Sequence, residues 1–139
     1  MVLSLNLVLS ALAQKTLPPT AKAAEIVFSN KSWENIIAEA KKNNRYIFVD
    51  AYATWCGPCK LLKATTFKDK NTAAYFNQNF INYSIDVEKG QGIALAEKWD
   101  ITAYPALLFF SPDGKLLLKQ IGYLDGPALL KLGQQHLDK

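Results

Sequence analysis

Cysteine is scarce in this chain: its 139 residues hold two. That is far too few for a small secreted fold stapled by several disulfides, so the two thiols must have a local purpose. Histidine occurs once, as His136, and two Cys with one distant His fall short of the four ligands of a structural zinc site, so no metal is expected. Arginine also occurs once, as Arg45; the remaining cations are lysines spread along the chain, without the guanidinium forks that read phosphates or base edges. A net charge of +4, from 16 basic against 12 acidic residues, therefore describes a solvated lysine-rich surface and excludes a nucleic-acid partner. Seven Gly and six Pro are too few for a low-complexity protein. What the chain does have, 50% hydrophobic and 20% charged residues, suits one compact domain and neither a disordered tail nor a coiled coil.

A membrane-spanning run is missing as well. Val2 to Ala13 carries no charge and only Ser4, Asn6 and Ser10 as polar members, but it is shorter than the ~20 apolar residues that cross a bilayer as a helix. With Ala11-Leu12-Ala13 at its end it resembles a secretory signal peptide, residues 1–13, whose removal would leave Gln14 first; no Lys or Arg follows Met1 to form the usual basic start. The expected address is the periplasm or another exported compartment, the alternative being the cytoplasm. Residues 14–24, with Pro18-Pro19 at their middle, suit a flexible linker, and a single domain is expected over 25–139.

Within that domain, Ile26 to Phe28 suits an edge strand, and Ser29 or Asn30 offers an N-cap to a helix whose Trp33, Ile36, Ile37 and Ala40 recur at helical spacing. Tyr46 to Tyr52 is a continuous apolar run interrupted by Asp50, as in a strand buried on both faces. Helices are predicted from Cys56 toward Thr65, around Asn71 to Phe80, over Gln91 to Trp99 and from Leu124 to Leu137. Further strands are predicted over Ile81 to Val87 and Ala106 to Phe110. Ser111-Pro112-Asp113-Gly114 signals a hairpin returning through Lys115 to Ile121. Early alternation and a late hairpin give an α/β fold: a central mixed sheet of four to five strands flanked by helices on both faces.

The two cysteines stand in Trp55-Cys56-Gly57-Pro58-Cys59-Lys60 at a strand-to-helix junction, with Asp50 six residues upstream and Tyr104-Pro105 leading into a later strand. Here the sequence resembles the thioredoxin family from Ile26 to about Leu137. The resemblance implies a thioredoxin fold and a thiol-disulfide oxidoreductase using no cofactor beyond the redox-active Cys56–Cys59 disulfide. Residues at i and i+3 of a helical turn have Cα atoms ~5.5 Å apart, which a disulfide accepts. Cys56 at the helix start is favoured as thiolate and nucleophile, while Cys59, one turn in and expected to be more buried, is the resolving thiol. A carboxylate in so apolar a strand should be desolvated and its pKa raised; the resemblance places Asp50 beneath Cys59, where it would take and return a proton. It also implies a substrate-binding rim of Trp55, Gly57, Pro58, Tyr104 and Pro105, with a cis bond before Pro105. Trp33 and Trp99 are expected in the core.

Two positions depart from the family pattern. Ala64 stands where classical thioredoxins kink the helix with proline, and Asn82 where they carry a lysine near the carboxylate. Thr65-Thr66-Phe67-Lys68-Asp69 and Asn77-Gln78-Asn79-Phe80 are similar instead to bacterial, often exported, thioredoxin-like proteins and to the soluble thiol domains of transmembrane electron carriers. The implied partners are disulfide-containing substrate proteins and a reducing donor, a membrane thiol-electron carrier, with the chain itself a monomer. Gly57-Pro58 is the dipeptide of reducing thioredoxins. The alternatives are a general cytosolic thioredoxin and a thioredoxin-fold binding or assembly module with little turnover.

Overall fold

A computed structural model describes residues 24–137; the expected signal segment 1–13, and all but the last residue of the expected linker 14–24, lie outside the described residues. The elements run α1 (Trp33–Asn43), β1 (Tyr46–Tyr52), α2 (Gly57–Ala64), a 3-10 turn (Thr66–Lys68), α3 (Lys70–Asn79), β2 (Phe80–Asp86), α4 (Gln91–Lys98), β3 (Ala106–Phe110), β4 (Leu116–Ile121) and α5 (Gly126–Leu137). The strands form one sheet in the order β2-β1-β3-β4. β1 is parallel to β2 and antiparallel to β3, which forms the antiparallel hairpin with β4.

Strand alternation divides the core. Ile47, Val49 and Ala51 of β1, with Ala106, Leu108 and Phe110 of β3, face a cluster that takes in Trp33, Ile36, Leu95 and Trp99. Phe48, Leu107 and Phe109 face the opposite cluster, with Leu62, Phe67, Phe76 and Leu129. Helices α1 and α4 thus cover one face, and α2, α3 and α5 the other. Both central strands present apolar side chains in both directions, so β3 reads as an unbroken hydrophobic run and β1 as one broken only by Asp50. Trp33 and Trp99 meet edge to face with ring centroids 4.9 Å apart, and Phe76 lies 4.8 Å from both Phe48 and Phe80.

Ile26 to Phe28 is not the edge strand expected. Its amides are taken by other partners: Ile26 N–H donates to the Phe67 carbonyl (2.8 Å) and Val27 N–H to Asn77 Oδ1 (2.9 Å). Only Ser29 reaches the sheet, through an isolated parallel bridge to Tyr83. Because the chain is still extended there, neither Ser29 nor Asn30 caps α1; Ser32 does, its Oγ accepting from Asn35 N–H at 3.3 Å. Arg45 donates to the carbonyls of Asn77, Gln78 and Phe80 at 2.8 to 3.3 Å. The one guanidinium therefore satisfies the Asn77 and Gln78 carbonyls at the end of α3, which no helical amide reaches, and the Phe80 carbonyl that opens β2. The hairpin turns through Gly114, at φ 84°, in a left-handed conformation that a side chain would strain.

Candidate active site

The site grows from the end of β1. Buried Ala51 and Ala53 carry the chain out of the sheet, and Cys56 N–H donates to the Ala53 carbonyl at 3.2 Å, turning it toward α2. Cys56 is the N-cap: its Sγ accepts from Cys59 N–H at 3.2 Å, and Pro58 sits in the first turn, where a missing N–H leaves no helical bond unmade. Cys56 and Cys59 are joined in a disulfide with Cα atoms 5.3 Å apart. Contrary to the sequence expectation, Cys59 is no more buried than Cys56; each is 3% exposed. Cys56 packs into the same apolar cluster as Ala53, with Tyr104 against it, which offsets its position outside the helix.

Trp55 stands beside the disulfide at 64% exposure. Its ring meets Tyr104 edge-on at 5.8 Å, which brings the loop before β3 against the Cys56 turn. The Tyr104-Pro105 peptide bond is cis, and Pro105 is buried. Trp55 Nε1 donates to Glu88 Oε1 at 2.5 Å, a partner in the loop after β2 that nothing in the sequence singled out. A Cβ added at Gly57 would meet nothing within 4 Å beyond its chain neighbours. No packing inside the protein therefore requires glycine there.

Asp50 is 1% exposed in the middle of β1. Alternation places it on the same side of the sheet as Phe48, the side covered by Leu62 of α2. Ser84, directly opposite on β2, donates its hydroxyl to Oδ2 at 3.0 Å, while Oδ1 is buried without a partner among the described residues. Burial, partly countered by the Ser84 bond and by the positive charge of Lys63, pushes the carboxyl from 3.8 up to about 6. A carboxyl so placed changes protonation close to neutrality. Asn82 is buried, its amide donating to the Phe76 carbonyl at 3.4 Å and to Asn77 Oδ1 at 3.3 Å. It serves the α3–β2 corner and brings no charge toward Asp50.

Sequence reasoning missed Ser84, Glu88 and Lys63. Ser84 becomes visible only once the parallel register of β1 and β2 is known. Lys63 could have been found, since it follows Cys59 by four residues and so shares its helix face. Ala64 ends α2 without proline: the helix stops at Thr65 and the short 3-10 turn takes over until Asp69 caps α3, accepting from Thr72 N–H at 2.9 Å.

Residues 33–137 match a family described as the thioredoxin-like domain. The chain is 30% identical over 101 residues, 72% of its length, to the thiol:disulfide interchange protein DsbD of Campylobacter jejuni, of which that match spans only 18%. It is 33% identical to a thioredoxin of Mycoplasmoides gallisepticum over 64% of this chain and 82% of that one. Among solved structures it is similar to a Bacteroides thetaiotaomicron protein provisionally named a disulphide-isomerase, with TM-score 0.73 and 39% identity over 86% of this chain and 98% of the other.

Proposed function

Because the chain belongs to the thioredoxin-like domain family and holds its two cysteines as a redox-type pair, we propose that it is a thiol-disulfide oxidoreductase that reduces, or isomerises, disulfides of exported proteins. The observation carrying this reading is the Cys56–Cys59 pair at the start of α2, with Trp55 and Tyr104 beside it and a buried carboxyl in the strand that delivers it. In the reduced protein the helix N-terminus favours the Cys56 thiolate. That thiolate attacks one sulfur of a substrate disulfide, forming a mixed disulfide and releasing the other sulfur as a thiolate, which takes up a proton. Asp50 then accepts the proton of Cys59, whose sulfur attacks Cys56 Sγ and expels the substrate sulfur bonded to it as a thiolate, which also takes up a proton. The substrate leaves as a dithiol with two electrons gained, and the protein is left in the disulfide form. Trp55 and Tyr104 offer an apolar rim, and Tyr104, ahead of buried Pro105, an accessible backbone, to an extended substrate segment, and bare Gly57 with Pro58 lets that segment approach the sulfur.

Export supplies the setting: residues 1–13 act as a signal peptide, and in an oxidising compartment a membrane thiol-electron carrier returns the two electrons. The similarity to DsbD, an interchange protein much longer than this chain, supports a donor of that kind. Expressing the full chain as Cys59→Ser in cells tests the reading, because the mixed disulfide can no longer resolve. Exported proteins trapped on Cys56, together with Gln14 as the mature N-terminus, are expected. Cytosolic partners on an uncleaved chain would establish the general cytosolic thioredoxin instead. Insulin reduction no faster than that of Cys56→Ser would leave a binding module.

A further inference from the structure

Asp50 is too deeply buried to meet solvent directly, yet it must gain and lose a proton in each cycle if the proposed reaction is right, and the inference below rests on that reading. Two cavities are lined by residues around it. One, of about 250 Å³, is lined by Tyr52, Ala53, Thr54, Cys59, Lys60 and Lys63. The other, of about 450 Å³, is bounded on one side by Ser84, the residue bonded to Asp50, and again by Lys63. Lys63 is thus the residue common to the space beside the resolving cysteine and the space beside the carboxyl's hydrogen-bond partner. Its ammonium does not swing free: Nζ rests 3.9 Å from the centre of the Tyr52 ring, two residues from Asp50 on the same strand face.

We propose that Lys63 is a positioning residue that holds the Asp50 carboxyl ionised near neutral pH and borders the path by which its proton reaches solvent. The surroundings single it out. From β2, Ser84 offers a hydroxyl and Asn82 a neutral amide already committed to Phe76 and Asn77. Asp86, which with Asp50 raises the Tyr52 phenol after burial, adds charge of the wrong sign. From β3, Leu107 lies opposite Asp50 and carries no charge. From α2, Lys60 lines the cavity beside Cys59 and Lys63 lines both, while Glu25 sits in the wall of the larger one. The positive charge that favours ionised Asp50 is that of Lys63. Because the ammonium is solvated, its effect weakens as salt screens it.

Carbon-13 NMR titration of the Asp50 carboxyl in the oxidised full chain reads this without turnover. At low salt the midpoint is expected to rise in Lys63→Met by about half a pH unit or more, to shrink back toward wild type in Lys63→Arg, and to move less at high salt. In insulin reduction, the acid limb of the Lys63→Met profile moves up by the same interval. That is about a threefold loss of rate at a fixed pH on that limb, and it disappears in an Asp50→Asn background. An unmoved carboxyl midpoint in Lys63→Met overturns the assignment, as does an equal rate loss with and without Asp50. A wild-type chain that fails to reduce insulin would instead overturn the proposed function, with the titration still readable.

Discussion

Replacing Asp50 with asparagine keeps the shape of the side chain and removes its titration. In the folded protein the carboxyl is raised from 3.8 to about 6, chiefly by burial. The native state therefore holds this proton more tightly than the unfolded chain. The stabilisation is complete below pH 4 or so and is lost as pH rises through about 6. A displacement of about two pH units corresponds to about 3 kcal/mol, which the wild type loses across that window and Asp50→Asn does not. The amide adds a constant term: it can still accept from Ser84, but its N–H₂ takes the place of the unpartnered Oδ1. The difference in stability between the two proteins as a function of pH is consequently the quantity to measure. Other carboxylates, such as Asp69 held low by its bonds to Thr72, titrate alike in both and cancel. Urea unfolding of the oxidised proteins from pH 4 to pH 8 should show the variant gaining on wild type by about 3 kcal/mol, or about 1 to 3 M in midpoint. A difference that stays flat over that range would refute desolvation of Asp50, and with it the argument that this carboxyl is poised to exchange a proton with Cys59.

Trp55→Ala removes an exposed ring whose contacts are Tyr104 and Glu88; stability should change by less than about 1 kcal/mol, while KM for protein disulfides rises more than kcat falls. Gly57→Ala should leave the melting temperature unchanged or slightly higher, since a methyl there meets nothing inside the protein, yet slow the reduction of insulin more than that of a small disulfide. Gly92→Ala drives a methyl into the backbone of Asp86 and should cost about 1 to 3 kcal/mol by denaturation without altering the Asp50 titration. Phe76→Ala, at the centre of rings from Phe48, Phe80 and Phe109, should cost about 3 to 5 kcal/mol in the same assay.

Most of the layered architecture was legible because its signals are local. The run from Tyr46 to Tyr52 has no polar face, and the structure buries it between helices on both sides. Ala106 to Phe110 matches β3 from end to end. The segment from Ile26 to Phe28 misled because an apolar run shows the propensity for a strand but not who takes its amides. Asn77 of α3 and the Phe67 carbonyl take them here. The N-cap of α1 shifted to Ser32 for the related reason that Ser29 is held at the sheet.

The chemistry divides along the same line. Cys-x-x-Cys at the start of a helix put the two sulfurs within disulfide reach, because a helical turn sets the separation of residues i and i+3 wherever it occurs. Its setting in Trp55-Cys56-Gly57-Pro58-Cys59-Lys60 carried the resemblance that implied a redox pair. A lone Asp within an apolar strand likewise foretold a raised carboxyl, since burial follows from its neighbours in sequence. Only the tertiary structure decided what surrounds those groups: the hydroxyl of Ser84 on Asp50, the rings of Trp55 and Tyr104 in contact, the glutamate at Trp55 and the lysine between two cavities. Each of these contacts joins residues on different elements, and their meeting depends on strand register and helix docking, which no local pattern of residues specifies.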